Sequence, residues 1–236
     1  MSLPQKTALI TGGTKGIGFG IAEALIREGV NVAITGRDEK VGNAALASLQ
    51  KSGKGKSMFI PCDVRDLKQQ QDAVNKVLTE WGGLDVLVAN AGVGHFAPIE
   101  ELSVENWKET IDINLTGVFY SIKSSLEALK KSKGYIITLS SLAGTNFFAG
   151  ASAYNASKFG LTGFTQAVML DLRKHGIKVT TIMPGSVATE FNNHDPGPED
   201  AWKIQIEDLG QIVVDLLRMH PRTLPSKIEV RPSIPK

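Results

Sequence analysis

The sequence predicts an α/β fold: a doubly wound parallel sheet of about seven strands, with helices on both faces, in a single domain. Short β-branched runs alternate with longer amphipathic segments, as successive βα units require when both faces of a sheet are covered. The length of 236 residues suits one hydrophobic core of this kind. A glycine-rich turn joins the first predicted strand to the first predicted helix.

The individual elements follow from the spacing of apolar residues, which is two in a half-buried strand and three or four in a helix. The predicted strands are 7–10, 30–35, 57–61, 84–89, 134–139, 177–183 and 227–230. The predicted helices are 16–29, 38–52, 66–81, 103–130, 152–174 and 206–219. Residues 190–205, which include the turn-rich run NNHDPGPED, are expected to form a short loop on the substrate side. A single domain, 1–236, would carry every site.

The composition argues against several classes of partner. Lys and Arg number 26 against 24 Asp and Glu, and they are scattered, so nucleic acid is not expected to bind. The single cysteine, Cys62, can form no internal disulfide, and a cytoplasmic location is expected. Apolar stretches are too short to span a membrane, and His, Asp and Glu lack metal-site spacing. Neither a membrane nor a metal is therefore expected.

The glycine-rich segment TGGTKGIG, residues 11–18, has the properties of a site for a pyrophosphate. Glycines allow a tight turn and a close approach of the backbone, and the following helix terminus attracts negative charge. The segment lacks the Gly-Lys-Ser/Thr ending of a triphosphate loop, which disfavours ATP or GTP. Its glycine spacing also differs from Gly-x-Gly-x-x-Gly, and a turn that binds no ligand is the alternative. The loop residues expected to bind a dinucleotide are Gly12, Thr14, Lys15, Gly16, Ile17 and Gly18.

The residues at the end of the second predicted strand indicate which dinucleotide is preferred, NAD or NADP. NAD-selective folds place a carboxylate there for the ribose hydroxyls, whereas this chain has Gly36 and Arg37. Asp38 follows, but an Asp directly before a helix is suited to be its N-cap. Arg37 and Lys15 can both bind a 2′-phosphate through charge-assisted hydrogen bonds. We therefore expect NADP(H) as the preferred cofactor with NAD(H) possible; the alternative is that both cations are merely solvated.

Taken together, these segments and later ones resemble the classical short-chain dehydrogenase/reductase family, with its Rossmann-like fold, over nearly the whole chain. The matching motifs are TGxxxGxG, Asp-Val after the third strand, Asn-Ala-Gly after the fourth, Tyr-x-x-x-Lys, and Pro-Gly with a following Thr. The resemblance implies further cofactor contacts from Asp63, Val64, Asn90, Ala91, Gly92, Tyr154, Lys158, Pro184, Gly185, Val187 and Thr189. It implies a catalytic set of Asn114, Ser141, Tyr154 and Lys158. Ala89 departs mildly from the family, which often has Asn there.

The Tyr-x-x-x-Lys motif indicates proton transfer at a carbonyl. A spacing of four places Tyr154 and Lys158 on one helix face. Because an ordinary tyrosine has a pKa near 10, we expect the Lys158 cation to favour its phenolate, while in reduction Tyr154 donates its proton to the developing alkoxide. Ser141 would hydrogen-bond the carbonyl oxygen. By the resemblance, Asn114 would hold a water that relays protons through Lys158.

Four further residues are candidates for the substrate pocket: His95 and Phe96 after the Asn-Ala-Gly motif, and Phe147 and Phe148 after Ser141. The alternative for the aromatics is simple core or interface packing. The resemblance implies an NADP(H)-dependent oxidoreductase that interconverts a small-molecule ketone or aldehyde with an alcohol. It also implies a homo-oligomer, a dimer or tetramer joined through helices such as 103–130 and 152–174.

Three other functions remain open at this point. The first is reduction of a 3-oxoacyl thioester, although the C-terminal region, 228–233, lacks the glycine-rich ending typical of many acyl-carrier reductases. The second is NAD-linked alcohol oxidation. The third is a non-catalytic nucleotide-binding sensor or scaffold, against which the complete serine, tyrosine and lysine set argues, because a sensor needs no proton donor.

Overall fold

Strands and helices alternate along the chain in the computed structural model, which describes residue 3 and residues 5–234. The strands are β1 (Thr7–Thr11), β2 (Asn31–Gly36), β3 (Ser57–Pro61), β4 (Val86–Ala89), β5 (Tyr135–Leu139), β6 (Lys178–Pro184) and β7 (Lys227–Val230). The helices are α1 (Gly16–Arg27), α2 (Glu39–Leu49), α3 (Leu67–Trp81), α4 (Val104–Ile111), α5 (Gly117–Ser132), α6 (Ser152–Leu172) and α7 (Ile206–Arg218). Predicted and observed ends differ by a few residues at most positions.

The seven strands form one parallel sheet in the order β3-β2-β1-β4-β5-β6-β7, which confirms the predicted doubly wound fold. Strand β1 lies at the centre, where Leu9 pairs with Ala33 of β2 on one side and with Leu87 of β4 on the other. The chain reverses its winding direction between β1 and β4. In sheets of this kind, ligands bind in the crevice beyond the carboxyl ends of the strands at that point.

Two apolar layers cover the faces of the sheet, because successive residues of a strand point to opposite sides. Ile10 packs in the layer with α1 and α7, while its neighbour Leu9 packs in the layer with α3, α5 and α6. Helices α1 and α7 approach closely: a Cβ atom on Gly20 would lie 2.6 Å from the carbonyl oxygen of Ile206. The two layers hold the carboxyl ends of the strands in a fixed arrangement.

The predicted single helix 103–130 is wrong in one respect, since a π-helical turn, Asp112–Thr116, separates α4 from α5. A π turn adds a residue to the helical repeat and changes the direction in which side chains leave it. Here it carries Asn114 into the protein interior, where that residue is fully buried. The expected N-cap of α2 is confirmed, because the Asp38 carboxylate accepts a hydrogen bond of 3.0 Å from the Val41 amide.

Candidate active site

One large cavity, of about 1010 Å³, runs along the carboxyl ends of the strands. The predicted cofactor residues that line it are Gly12, Thr14, Lys15, Gly16, Ile17, Arg37, Asp63, Val64, Asn90, Ala91, Gly92, Tyr154, Lys158, Pro184, Gly185, Val187 and Thr189. Ser141, His95, Phe96 and Phe148 line it as well. Gly18, Asn114 and Phe147 lie outside the lining. The fold thus brings nearly all the predicted residues to one place.

The glycine turn after β1 has a shape that larger residues would not permit. Gly12 has a φ of +63°, and a Cβ atom there would lie 2.8 Å from the Ala91 Cα atom. The Asn90 side-chain amide donates hydrogen bonds of 2.9 Å to the carbonyl oxygens of both Thr11 and Gly12. A Cβ atom on Gly18 would lie 2.5 Å from that same amide nitrogen. The two hydrogen bonds from Asn90 therefore hold the turn in place. Gly18 does not line the cavity, and its lack of a side chain leaves room for the Asn90 amide.

The N-terminus of α1 fits the pyrophosphate of a dinucleotide. This helix of 12 residues begins at Gly16 beside the cavity, and its first turn carries no acidic residue. Free backbone amides and the helix dipole favour an anion at such a position. Thr189, in the loop after β6, covers the turn: a Cβ atom on Gly16 would lie 3.4 Å from its methyl carbon. Lys15 directly precedes the helix and adds a positive charge.

Arg37, the cation expected to recognise a 2′-phosphate, lines the cavity beside the end of β2. Arg37 follows β2, and 56% of its side chain is exposed. Nearby, Asp63 receives a hydrogen bond of 2.6 Å from the guanidinium of Arg65, and this bond holds the pKa of the Asp63 carboxyl below its usual value. Glu109, which sequence reasoning missed, lies 3.9 Å from the Arg37 guanidinium. Nothing in its local sequence distinguishes it from other exposed helical glutamates.

The catalytic candidates Ser141, Tyr154 and Lys158 meet near the middle of the cavity. Tyr154 lies in the first turn of α6, and Lys158 follows one turn later with its Nζ atom 5.6 Å from the tyrosine ring centroid. Lys158 is buried and donates a hydrogen bond of 2.8 Å to the Leu139 carbonyl at the end of β5. Burial lowers the pKa of Lys158 to about 8. The lysine therefore still carries a positive charge at neutral pH.

The pKa of Tyr154 is raised above its ordinary value of 10, because burial opposes the charged form. A hydrogen bond with the Ser141 hydroxyl acts in the opposite direction but is the smaller effect. We expected the Lys158 cation to lower this pKa, but burial dominates and the pKa is raised. The lysine nitrogen donates its hydrogen bond to the Leu139 carbonyl. Tyr154 is consequently protonated at neutral pH, which is the form that a proton donor needs.

Asn114 joins two parts of the site through its side chain. Its Oδ1 atom accepts a hydrogen bond of 2.8 Å from the Val93 amide, and its Nδ2 atom donates to the Val93 carbonyl at 2.8 Å and to the Ser157 hydroxyl at 3.0 Å. The side chain thus fixes the loop after β4 against α6. Because both amide protons are used, a water at this residue would have to donate to the remaining lone pair of Oδ1 or to the backbone carbonyl.

An aromatic cluster surrounds the tyrosine. The Phe96 ring lies 5.3 Å from that of Tyr154, 6.1 Å from Phe148 and 6.4 Å from Phe191, measured between centroids. Phe191 belongs to the predicted loop 190–205 and was not predicted as a site residue. Phe147 is 85% exposed and does not line the cavity, so its predicted role in the pocket is not supported. In the irregular segment before α6, these two consecutive phenylalanines face different sides.

A buried carboxylate holds the loop 190–205 together. Asp200 binds Lys203 at 2.6 Å and also His194, and these two hydrogen bonds lower the pKa of its carboxyl to about 2. The Ala188 amide donates to the Ile204 carbonyl at 2.9 Å, which ties the start of the loop to its end. His194 and Lys203 reach the cavity lining. These contacts fix the conformation of the loop, which places the Phe191 ring 5.8 Å from the Tyr154 ring, measured between centroids.

Across residues 3 and 5–234, His, Cys, Asp and Glu form no group of three or more that could hold a metal ion. In that same part of the chain, every helix is too short or too polar to cross a membrane.

Comparisons with known proteins agree with this geometry. Residues 6–199 match the model of the short chain dehydrogenase family. The chain is 36% identical to trans-4-hydroxycyclohexanecarboxylate dehydrogenase of Sinomonas cyclohexanicum, over 78% of this chain and 73% of that protein. It is 38% identical to D-beta-hydroxybutyrate dehydrogenase of Cupriavidus necator, over 79% and 72%. An alcohol dehydrogenase from Thermococcus sibiricus, solved with 5-hydroxy-NADP, superimposes with a TM-score of 0.92 at 27% identity, over 98% of both chains. This chain belongs to the short-chain dehydrogenase family and is an oxidoreductase acting on CH–OH donors with a nicotinamide cofactor.

Proposed function

We propose that the protein is an NADP(H)-dependent oxidoreductase that interconverts a ketone or aldehyde with an alcohol, with Tyr154 as its general acid and base. The observation that carries the proposal is the meeting of Ser141, Tyr154 and Lys158 in a cavity whose far end holds Arg37. The cofactor, when bound, supplies or accepts the hydride. The direct test is NADPH oxidation with a panel of ketones, aldehydes and acyl thioesters.

The protein's own residues handle the proton and the charge on the substrate oxygen. Ser141 lies close enough to Tyr154 to affect the pKa of its phenol, and both line the cavity, so one carbonyl oxygen can contact both hydroxyls. Tyr154 keeps its proton at neutral pH and gives it to the oxygen as negative charge develops there. The buried Lys158 cation, one turn along α6, stabilises the phenolate that remains. Alcohol oxidation uses the same groups in reverse.

The preference for NADP(H) rests on Lys15 and Arg37, which both line the cavity and flank the glycine turn and the end of β2. A 2′-phosphate in that region would receive charge-assisted hydrogen bonds. The similar Thermococcus sibiricus protein was solved with 5-hydroxy-NADP, which supports the proposal. The two curated relatives are named for different hydroxy acids, one cyclic and one acyclic, so they do not identify a substrate for this chain.

A matched pair of phenylalanine substitutions tests the substrate side of the cavity. We expect Phe148→Ala to raise the KM for an aromatic ketone about threefold to tenfold, because one ring-to-ring contact beside Tyr154 is lost. Phe147→Ala removes the same side chain from the adjacent, 85% exposed position and should leave KM unchanged. Steady-state kinetics with acetophenone measures both. Equal effects of the two substitutions on KM would show that Phe148 does not contact the substrate.

The pKa of Lys158, about 8, predicts how the two reaction directions depend on pH. Below that pKa the lysine is charged and supports Tyr154, so carbonyl reduction should be at its plateau. As pH rises through about 8, the charge is lost and kcat/KM for reduction should fall, while kcat/KM for alcohol oxidation, which releases a proton, should rise up to this pH and level off above it. Profiles in both directions, measured with saturating cofactor, check this. A reduction rate that stays constant through this range would contradict the role given to Lys158.

We further propose a homo-oligomer, a dimer or tetramer, joined through α4, α5 and α6. Large apolar side chains are exposed on these helices, including Trp107, Phe119 and Phe159. Burying such side chains against a second copy would remove apolar surface from water.

A cytoplasmic location, which the single cysteine led us to expect, stays a prediction.

A further inference from the structure

A carboxylate on α4 lies among cations at the end of the cavity where Arg37 is found. Glu109 is 3.9 Å from the Arg37 guanidinium and 4.0 Å from that of Arg65, and it is bound to His95 Nε2 at 2.8 Å. These three partners lie in the segments that follow β2, β3 and β4; Arg37 and His95 line the cavity, and Glu109 contacts both from outside the lining. We call Glu109, Arg37, Arg65 and His95 the Glu109 cluster.

The members of the cluster differ in how firmly they are held. Arg65 is fixed by Asp63, to which it donates from both Nε, at 3.0 Å, and Nη2, at 2.6 Å. His95 holds Glu109 by a hydrogen bond of normal length. Among the residues that the structure describes, Arg37 has only the longer, 3.9 Å ion pair with Glu109, and 56% of its side chain is exposed. Arg37 is therefore the cation in this cluster that a ligand can most easily engage.

An anion bound to Arg37 would come close to Glu109. The carboxylate is 3.9 Å from the guanidinium, so a phosphate on the same guanidinium lies well within the screening length of about 8 Å at physiological ionic strength. The two negative groups would repel each other and would share one cation. An adenosine ribose that carries no 2′-phosphate would experience neither effect.

We propose that Glu109 is a specificity-determining residue that limits the preference for NADP(H), because its carboxylate competes with the 2′-phosphate for Arg37. The inference rests on the proposed function, in which Arg37 recognises that phosphate. Glu109 touches neither the reacting atoms nor Tyr154 in this role. It sets the balance between the two cofactors and leaves the chemistry unaffected.

Glu109→Gln tests the proposal, since the amide keeps the shape of the side chain and can still bond His95. We expect the Kd of NADPH and of 2′,5′-ADP to fall about threefold to tenfold, because like-charge repulsion is removed at a partly exposed site. The Kd of NADH and of 5′-AMP should change less than about twofold. The gain should shrink as salt is added. Calorimetric titration of the four nucleotides gives all the constants.

Glu105→Gln is the matched control, because Glu105 is exposed one turn earlier in α4 and lies outside the cluster. It changes the net charge equally and should leave all four constants unchanged. The proposal is overturned if Glu109→Gln affects NADPH and NADH alike, weakens NADPH, or is matched by Glu105→Gln. Arg37→Ala separates this failure from that of the proposed function: loss of NADP preference there, with no effect of Glu109→Gln, would contradict the role of Glu109 alone.

Discussion

Replacing Tyr154 with Phe is expected to lower kcat for carbonyl reduction by about 100- to 10,000-fold, the usual contribution of a positioned general acid. The ring contact with Phe96 is kept, and only the hydroxyl is lost. Because that hydroxyl acts on the substrate oxygen, the loss should appear mainly in kcat, with a much smaller change in the Kd of NADPH. Single-turnover and steady-state measurements with one ketone check both expectations.

Tyr120→Phe is the matched control for this substitution. Tyr120 lies on α5 and does not line the cavity, so loss of its hydroxyl should leave turnover and NADPH binding unchanged. Wild-type turnover in the Tyr154 variant would exclude Tyr154 as the proton donor. Circular dichroism of both variants distinguishes a chemical effect from unfolding.

Replacing Arg37 with Ala is expected to reduce the preference for NADPH over NADH, measured as the ratio of kcat/KM values, by about 10- to 100-fold. Charge-assisted hydrogen bonds are worth roughly 1.5–3 kcal/mol each, and the substitution removes those that Arg37 would make with the 2′-phosphate. The loss should appear in KM for NADPH, with kcat and the NADH constants nearly unchanged.

Arg27→Ala provides the matched control for Arg37. Arg27 ends α1, is paired with Glu23 and lies outside the cavity lining, so its removal should not change the cofactor ratio. An unchanged ratio of the kcat/KM values for NADPH and NADH in the Arg37 variant would show that Arg37 does not determine cofactor preference. A loss that appeared in kcat instead of KM would indicate a role in the chemistry that the position of Arg37 does not support.

The order of strands and helices could be predicted from the sequence because a doubly wound sheet leaves a strong local pattern. Strands buried on both faces show as short β-branched runs, and the glycine turn identifies where the first βα unit bends. The spacing of Tyr154 and Lys158 likewise fixes their shared helix face. Such local signals locate the cavity and most of its lining.

The parts that could not be predicted depend on contacts between distant segments. The π turn at Asn114 and the hydrogen bonds of that residue with Val93 and Ser157 exist only once α4, α5 and α6 pack together. The position of Phe191 over Tyr154 depends on how the loop after β6 folds back. The raised pKa of Tyr154 follows from burial in the folded protein, which a sequence motif does not describe.

The central claim is tested most directly by an NADPH-consumption screen over ketones, aldehydes and acyl thioesters, with the alcohol product quantified by mass spectrometry. We expect at least one carbonyl compound to be reduced, with one alcohol formed per NADPH oxidised and a higher rate with NADPH than with NADH, and we expect Tyr154→Phe to abolish this activity. Tight NADPH binding without turnover on any compound of the panel would contradict it.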